Sequence, residues 1–166
     1  MKLLLISIFL FFTSCVNPFA PKLDFENFGS SAILSDQKDI EGVLHNFKQA
    51  YLFKDTTIYG KLFTPEFIFI FRDYDKNTEV FWSRDEELRT TNGLFQNAQH
   101  FELIWNQTIS SHEDSLLMQL VKSFNLTVTF NPNDIVRVNG YANFTFSRES
   151  ILEKWKISRW RDESNF

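Results

Sequence analysis

Cysteine is nearly absent: Cys15 is the only one in 166 residues, so the chain cannot close a disulfide on itself. Glycine is scarce as well, at five residues, which leaves little material for a glycine-rich phosphate loop or a dinucleotide-binding turn. No nucleophile elbow is present either. The three histidines, His45, His100 and His112, lie far apart and fit no two-ligand spacing, so neither a metal nor another cofactor is expected. Basic residues form no dense cluster, and the formal net charge is -4, which argues against a nucleic-acid partner. Removing Lys2 with a cleaved leader makes the charge more negative still.

Long apolar runs are also missing. The one near the start, Leu3 to Phe12, is broken only by Ser7 and spans about ten residues, where a bilayer crossing needs roughly 20. With Lys2 ahead of it, this is the pattern of a signal peptide over residues 1–14. Small residues Thr13 and Ser14 follow, and the segment Phe12-Thr13-Ser14-Cys15 resembles the lipobox of bacterial lipoproteins. That resemblance implies cleavage before Cys15 and acylation of its sulfur, palmitate being one such acyl group. Phe12 departs from the aliphatic residue usual at its position. A free exported thiol would otherwise be open to oxidation. The resemblance further implies a bacterial envelope location. Val16 in place of Asp directly after the cysteine is compatible with the outer membrane, with the domain facing the periplasm.

Residues 15–34 carry Pro18, Pro21, Gly29, Ser30 and Ser31 with little periodicity and read as a flexible tether reaching roughly 25 Å. What remains, residues 35–166, is enough for one domain with a real core. Hydrophobic residues make up 43% and charged residues 23% of the chain, as in globular proteins. Phenylalanine, at 20 residues, is abundant, which fits either a large apolar cavity or a compositional bias of the source.

Ser35 or Asp36 can cap a helix in which Ile40, Val43, Leu44, Phe47, Ala50 and Tyr51 form one apolar stripe. Asp55 and Thr56 restart a short helix with Ile58 and Leu62 inward, ending before Pro65. Phe67 to Phe71 is a continuous apolar run, predicted to be a strand covered on both faces, and Asp75-Lys76-Asn77 turns it into Glu79 to Trp82. Ser83 and Glu86 form a capping box that opens a third helix, running to about Thr91 or Phe95 with Gly93 near its close. The period then changes to two in His100–Gln107, Ser123–Asn131 and Val136–Phe146, predicting antiparallel strands with one dry face each; Trp155–Ser158 adds another.

This order is α+β. It resembles the nuclear transport factor 2-like superfamily, which includes ketosteroid isomerase, scytalone dehydratase and the SnoaL-type cyclases. The resemblance runs from about Asp36 to Asp162 and rests on FKQAYLFKD ending the first helix, FTPEFIFIF after the short helix, and WKISRWRD closing the chain. It implies three N-terminal helices packed in the concave face of a curved, mainly antiparallel sheet, a cone with an apolar pocket. Tyr51, Trp82, Phe101, Trp105, Phe124 and Phe144 are candidates to line it, or else simply to fill the core.

The ketosteroid isomerase resemblance implies a carboxylate base near Asp73 and a tyrosine near Tyr51. A third group, an acid on a later strand, finds no match, because those strands show Leu, Val and Phe on their dry faces. Asp73, beside Tyr74 and Asp75, also reads as turn chemistry. In the last strand, strict pleating from Trp155 and Ile157 would turn Arg159 and Arg161 inward, whereas a bulge would bring in Trp160. The wet sheet face, with Asn125, Thr127, Arg137, Asn139, Tyr141 and Asn143, suits either a homodimer interface or solvent. The three Asn-X-Thr sequences fall within predicted strands and are treated as coincidental.

Two functions emerge. One is a non-enzymatic, membrane-anchored binding module for a small apolar ligand or a protein partner. The other is an isomerase or dehydratase acting on a small hydrophobic substrate. An enzyme would need at least two polar groups converging deep in the cone, one with a perturbed pKa.

Overall fold

The computed structural model describes residues 33–165; the leader, Cys15 and residues 16–32 of the tether lie outside the described residues. The first helix, α1, spans Ile40–Phe53. Its N-cap is Asp39, whose carboxylate accepts from the Gly42 amide at 2.6 Å, and not Ser35 or Asp36. Ser35 is held elsewhere: Asn46 of α1 accepts from the Ser35 amide at 2.8 Å and donates to its carbonyl at 3.0 Å. This clamp ties the incoming chain to the side of the helix, so the cap falls three residues later. Lys54 ends α1 in the left-handed region at φ 55.

Helix α2, Thr56–Lys61, begins as predicted at Asp55, whose Oδ1 accepts from the amides of Thr57 and Ile58. Strands β1 (Phe63–Asp73) and β2 (Thr78–Ser83) then form an antiparallel hairpin. Helix α3, Arg84–Asn97, opens on the predicted Ser83–Glu86 capping box, with Asp85, Glu86 and Glu87 in its first turn. Two helices precede the sheet and the third follows the hairpin. This is the order read from the sequence, with the hairpin between the second and third helices.

The remaining chain forms β3 (His100–Glu113), β4 (Leu117–Asn131), β5 (Asp134–Ser147) and β6 (Lys156–Ser164). The six strands make one sheet in the order β2-β1-β6-β5-β4-β3. Only β1 and β6 run parallel; the other neighbours are antiparallel. Strands β3 and β4 are longer than the alternating segments suggested, because their pairing continues past bulges near Thr108 into a polar stretch reaching Glu113 and Met118.

The sheet bends around α1. Phe47, fully buried, stacks on Tyr51 at 5.2 Å between ring centroids and meets Trp105, Phe144 and Trp160 edge-on at 5.5 to 6.1 Å. One helix residue thus touches rings from β3, β5 and β6, and such aromatic pairs add about 0.5–1.5 kcal/mol each beyond burial. The other sheet face is wetter. Ile68 and Phe81 are exposed there, at 44% and 59%, so β1 is not covered on both faces along its whole run. Among the described residues no helix is long and apolar enough to cross a membrane.

Candidate functional site

The concave face does not close completely on the helices. Between α1, α3 and the sheet lies a cavity of about 660 Å³. Its walls are largely aromatic: Phe47, Phe69, Phe71, Trp82, Trp105 and Trp160 all border it. Tyr51 and Phe124, also proposed from sequence, line it too. Phe101 and Phe144 do not border it; they are almost fully buried in the core, Phe101 against Tyr51 and Phe95, Phe144 against Phe47 and Trp105. Trp105 satisfies its indole by donating to the Leu44 carbonyl at 3.1 Å, which fixes its ring against α1.

Arg159 is not part of the wall. The β5–β6 pairing shifts between Thr145 and Phe146, where Arg159 and Ile157 are the successive partners and Ser158 is the extra residue. Its hydroxyl donates to the Thr145 carbonyl at 3.1 Å. This bulge reverses the pleat that strict alternation would give. Arg159 and Arg161 therefore lie with Asn143 and Thr145 in a polar depression away from the cavity, and Arg161 pairs with Glu79. Trp160, Asp162 and Ser164 turn inward instead.

The bulge also supplies an acid on a late strand where none was expected. Asp162 accepts from Ser164 Oγ at 3.0 Å through Oδ2, while its Oδ1 is buried without a partner. Burial pushes its pKa up. The indole nitrogen of Trp160, two residues before it, is likewise buried and unpartnered.

A second acid comes from α3. Glu87, Thr91 and Phe95 recur every four residues and form the helix's buried face. Glu87 Oε1 accepts from Tyr59 of α2 at 2.7 Å and from Thr91 at 2.9 Å. Burial raises its pKa, the nearby Asp162 raises it further, and the two hydroxyl donors only partly offset this. Tyr51 and Tyr59 are both pushed well above the usual phenol value, mainly by burial and then by the neighbouring Glu87 carboxylate. The interior end of the cavity thus holds two carboxyl groups that interact with each other, beside buried tyrosines.

Asp73 has a different setting. It stands at the cavity's mouth, accepts from the Lys76 amide at 3.0 Å and pairs with Lys76 Nζ at 2.8 Å. These hydrogen bonds lower its pKa, leaving a solvated carboxylate that stabilises the turn. His45 bonds to the Ile33 carbonyl at the protein's surface. Among the described residues no group of three metal-ligating side chains occurs.

Sequence reasoning missed Glu87, Tyr59 and Asp162, and brought Trp160 inward only on the alternative of a bulge, which is the one observed. For Glu87 a signal existed, because it shares the four-residue spacing of Thr91 and Phe95. Three consecutive acids at a helix start hide it, since all three suit the positive end of the helix equally well.

No protein-family model matches the sequence, and no curated protein matches it. Comparison with solved structures does find similar folds. A conserved protein from Planctomyces limnophilus superposes with a TM-score of 0.65 at 16% identity, covering 75% of this chain and 92% of that one. A provisionally assigned dehydratase of the nuclear transport factor 2-like family from Streptomyces avermitilis gives 0.60 at 15%, covering 76% and 93%. A provisionally assigned scytalone dehydratase from Novosphingobium aromaticivorans gives 0.61 at 11%, covering 76% and 82%. The chain has the nuclear transport factor 2-like fold.

Proposed function

We propose that this chain is a lipid-anchored protein of the bacterial envelope whose cone-shaped domain binds a small, largely apolar ligand. The observation that carries the binding reading is the cavity itself: about 660 Å³, walled by aromatic rings and ending on Glu87 and Asp162. That volume is in the range of sites for small organic ligands, and an apolar wall with few convergent polar groups is their usual construction. The anchor rests on the Phe12-Thr13-Ser14-Cys15 segment, and the outer membrane on Val16. The wet outer sheet face, with Tyr141 and Asn143, is the surface proposed for a second copy or a protein partner.

A specific observation favours an enzymatic reading as well. Two carboxyl groups with raised pKa values inside one cavity meet the requirement for general acid and base chemistry, and a protonated acid could assist loss of a hydroxyl group, as in a dehydration. Two of the structural neighbours above are named for dehydratase activity.

The test is to purify the protein from its own host and analyse it by native mass spectrometry. A co-purifying small molecule that is released on unfolding supports binding; a mass equal to that of the acylated chain alone contradicts it. Cys15→Ser should move the protein to the soluble fraction. Continued incorporation of labelled palmitate would refute the anchor. If Glu87→Gln abolishes conversion of the recovered ligand without weakening its binding, the enzymatic reading replaces the binding one.

A further inference from the structure

The ligand's polar group has a charge written into the cavity. Glu87 and Asp162 are the ionisable acids of its interior, and no lysine or arginine borders them there. Arg72 is the sole cation among the lining residues and belongs to the rim, where it bonds Asn77 of the turn and lies over the Tyr74 ring. The buried lysine of the domain, Lys122 of β4, shares the concave sheet face with Asp162, with Ala142 between them in register, but it does not line the cavity and is held by Glu41 at 3.5 Å and Thr108 at 3.3 Å. The hydrogen-bond partners of the two interior acids are uncharged: Tyr59 and Thr91 for Glu87, Ser164 for Asp162.

Buried carboxylates are normally paired with a cation, because an isolated one is expensive to remove from water. Here no cation lines the inner end of the cavity, Lys122 being engaged by Glu41, and the surrounding surface is aromatic. Ring faces carry partial negative charge and attract cations, most strongly where water is excluded. Trp105 and Trp160 lie in van der Waals range of the same core ring, Phe47, and both border the cavity. The buried, unpartnered Oδ1 of Asp162 leaves a hydrogen-bond acceptor unsatisfied at this end of the cavity. An anionic ligand would meet two acids there and no counter-charge. A neutral one would leave both acids without a cation.

On the reading that the cavity binds a small apolar ligand, we infer that this ligand is an amine: a hydrophobic body among the rings, with its ammonium group directed to Glu87 and Asp162. Binding then supplies the charge partner that the fold omits. It also favours the ionised form of both acids, against the desolvation that raises their pKa values in the empty cavity.

Three probes sharing one skeleton test this: 4-phenylbutylamine, 4-phenylbutanol and 4-phenylbutyrate, titrated calorimetrically into the full chain at pH 7.5. The amine should bind more tightly than the alcohol by on the order of tenfold, with the carboxylate weakest. In a Glu87→Gln, Asp162→Asn double variant the amine's advantage over the alcohol should collapse. The single variants, each checked for folding by its thermal transition, should show intermediate ratios. An alcohol binding as tightly as the amine, or an amine preference that survives the double substitution, would overturn the inference while leaving the binding function in place. If none of the three binds, both fall together.

Discussion

The phenol of Tyr59 donates to Glu87 Oε1 across 2.7 Å, joining the short second helix to the third inside the protein. Neither residue touches solvent appreciably, with 0% and 4% of their surfaces exposed. The bond positions a carboxyl at the cavity and holds α3 against α2 at the same time. Tyr59→Phe keeps the ring packing and removes only this donor, leaving Thr91 as the remaining partner. The variant should lose about 1–2 kcal/mol of stability. By carboxyl NMR, Glu87 should titrate higher than in the parent. An unchanged Glu87 titration would mean that the bond does not form in solution.

The interior acids give stability a distinctive pH dependence. Their ordinary values are 4.5 for Glu87 and 3.8 for Asp162, and folding raises both. Between the ordinary and the raised value the folded state binds more protons than the unfolded one, so stability falls as pH climbs through that window. Asp73, Glu79 and Glu86 act oppositely: their folded values are lowered, and their contribution is lost as pH falls through them. The difference between parent and variant isolates the interior pair. Urea unfolding of the Glu87→Gln, Asp162→Asn double variant should gain stability relative to the parent as pH rises from 4 to 7. A constant difference across that range would contradict burial of the two acids.

The bulge at Ser158 makes neighbouring residues in β6 unequal. Trp160 is 8% exposed and packs on Phe47, Phe69 and Phe144, so Trp160→Ala should cost about 3–5 kcal/mol. Arg159→Ala, on the opposite face, should leave the thermal midpoint nearly unchanged. Equal losses from the two substitutions would restore the alternation that the bulge breaks.

Gly140 is required by close approach of backbone. It lies opposite Ser164 in the β5–β6 ladder, and a Cβ there would come within 2.4 Å of the Ser164 Cα and 2.5 Å of the Glu163 carbonyl oxygen. Neither atom can swing aside. Gly140→Ala should therefore push the end of β6 away, costing roughly 1–3 kcal/mol and displacing Asp162 and Ser164 from the cavity. Loss of ligand binding alongside stability is the expected combination, read by calorimetry and thermal unfolding. Stability equal to the parent's would show that the strands tolerate separation.

Local signals explain what could be read from the sequence. The stripe from Ile40 to Tyr51, the caps at Asp55 and Ser83, and the alternation through β4 and β5 depend on residues within a few positions of one another. The cap at Asp39 was missed because the Asn46–Ser35 clamp joins residues eleven apart. The cavity's chemistry was harder still. Asp162 faces inward only because pairing with β5 slips at Ser158, a choice made between strands and not within one. Glu87 acquires its role from Tyr59, 28 residues earlier, and that contact exists only once α3 has folded back over α2.

The most direct measurement is a crystal structure of the protein isolated from its own host, inspected in the space between Trp160 and Glu87. Continuous density for an elongated small molecule, with its polar end within hydrogen-bond distance of Glu87 or Asp162, is the expected result. A cavity closed by collapse of Trp82 and Trp105, with both acids turned out to water, would contradict ligand binding in the cone.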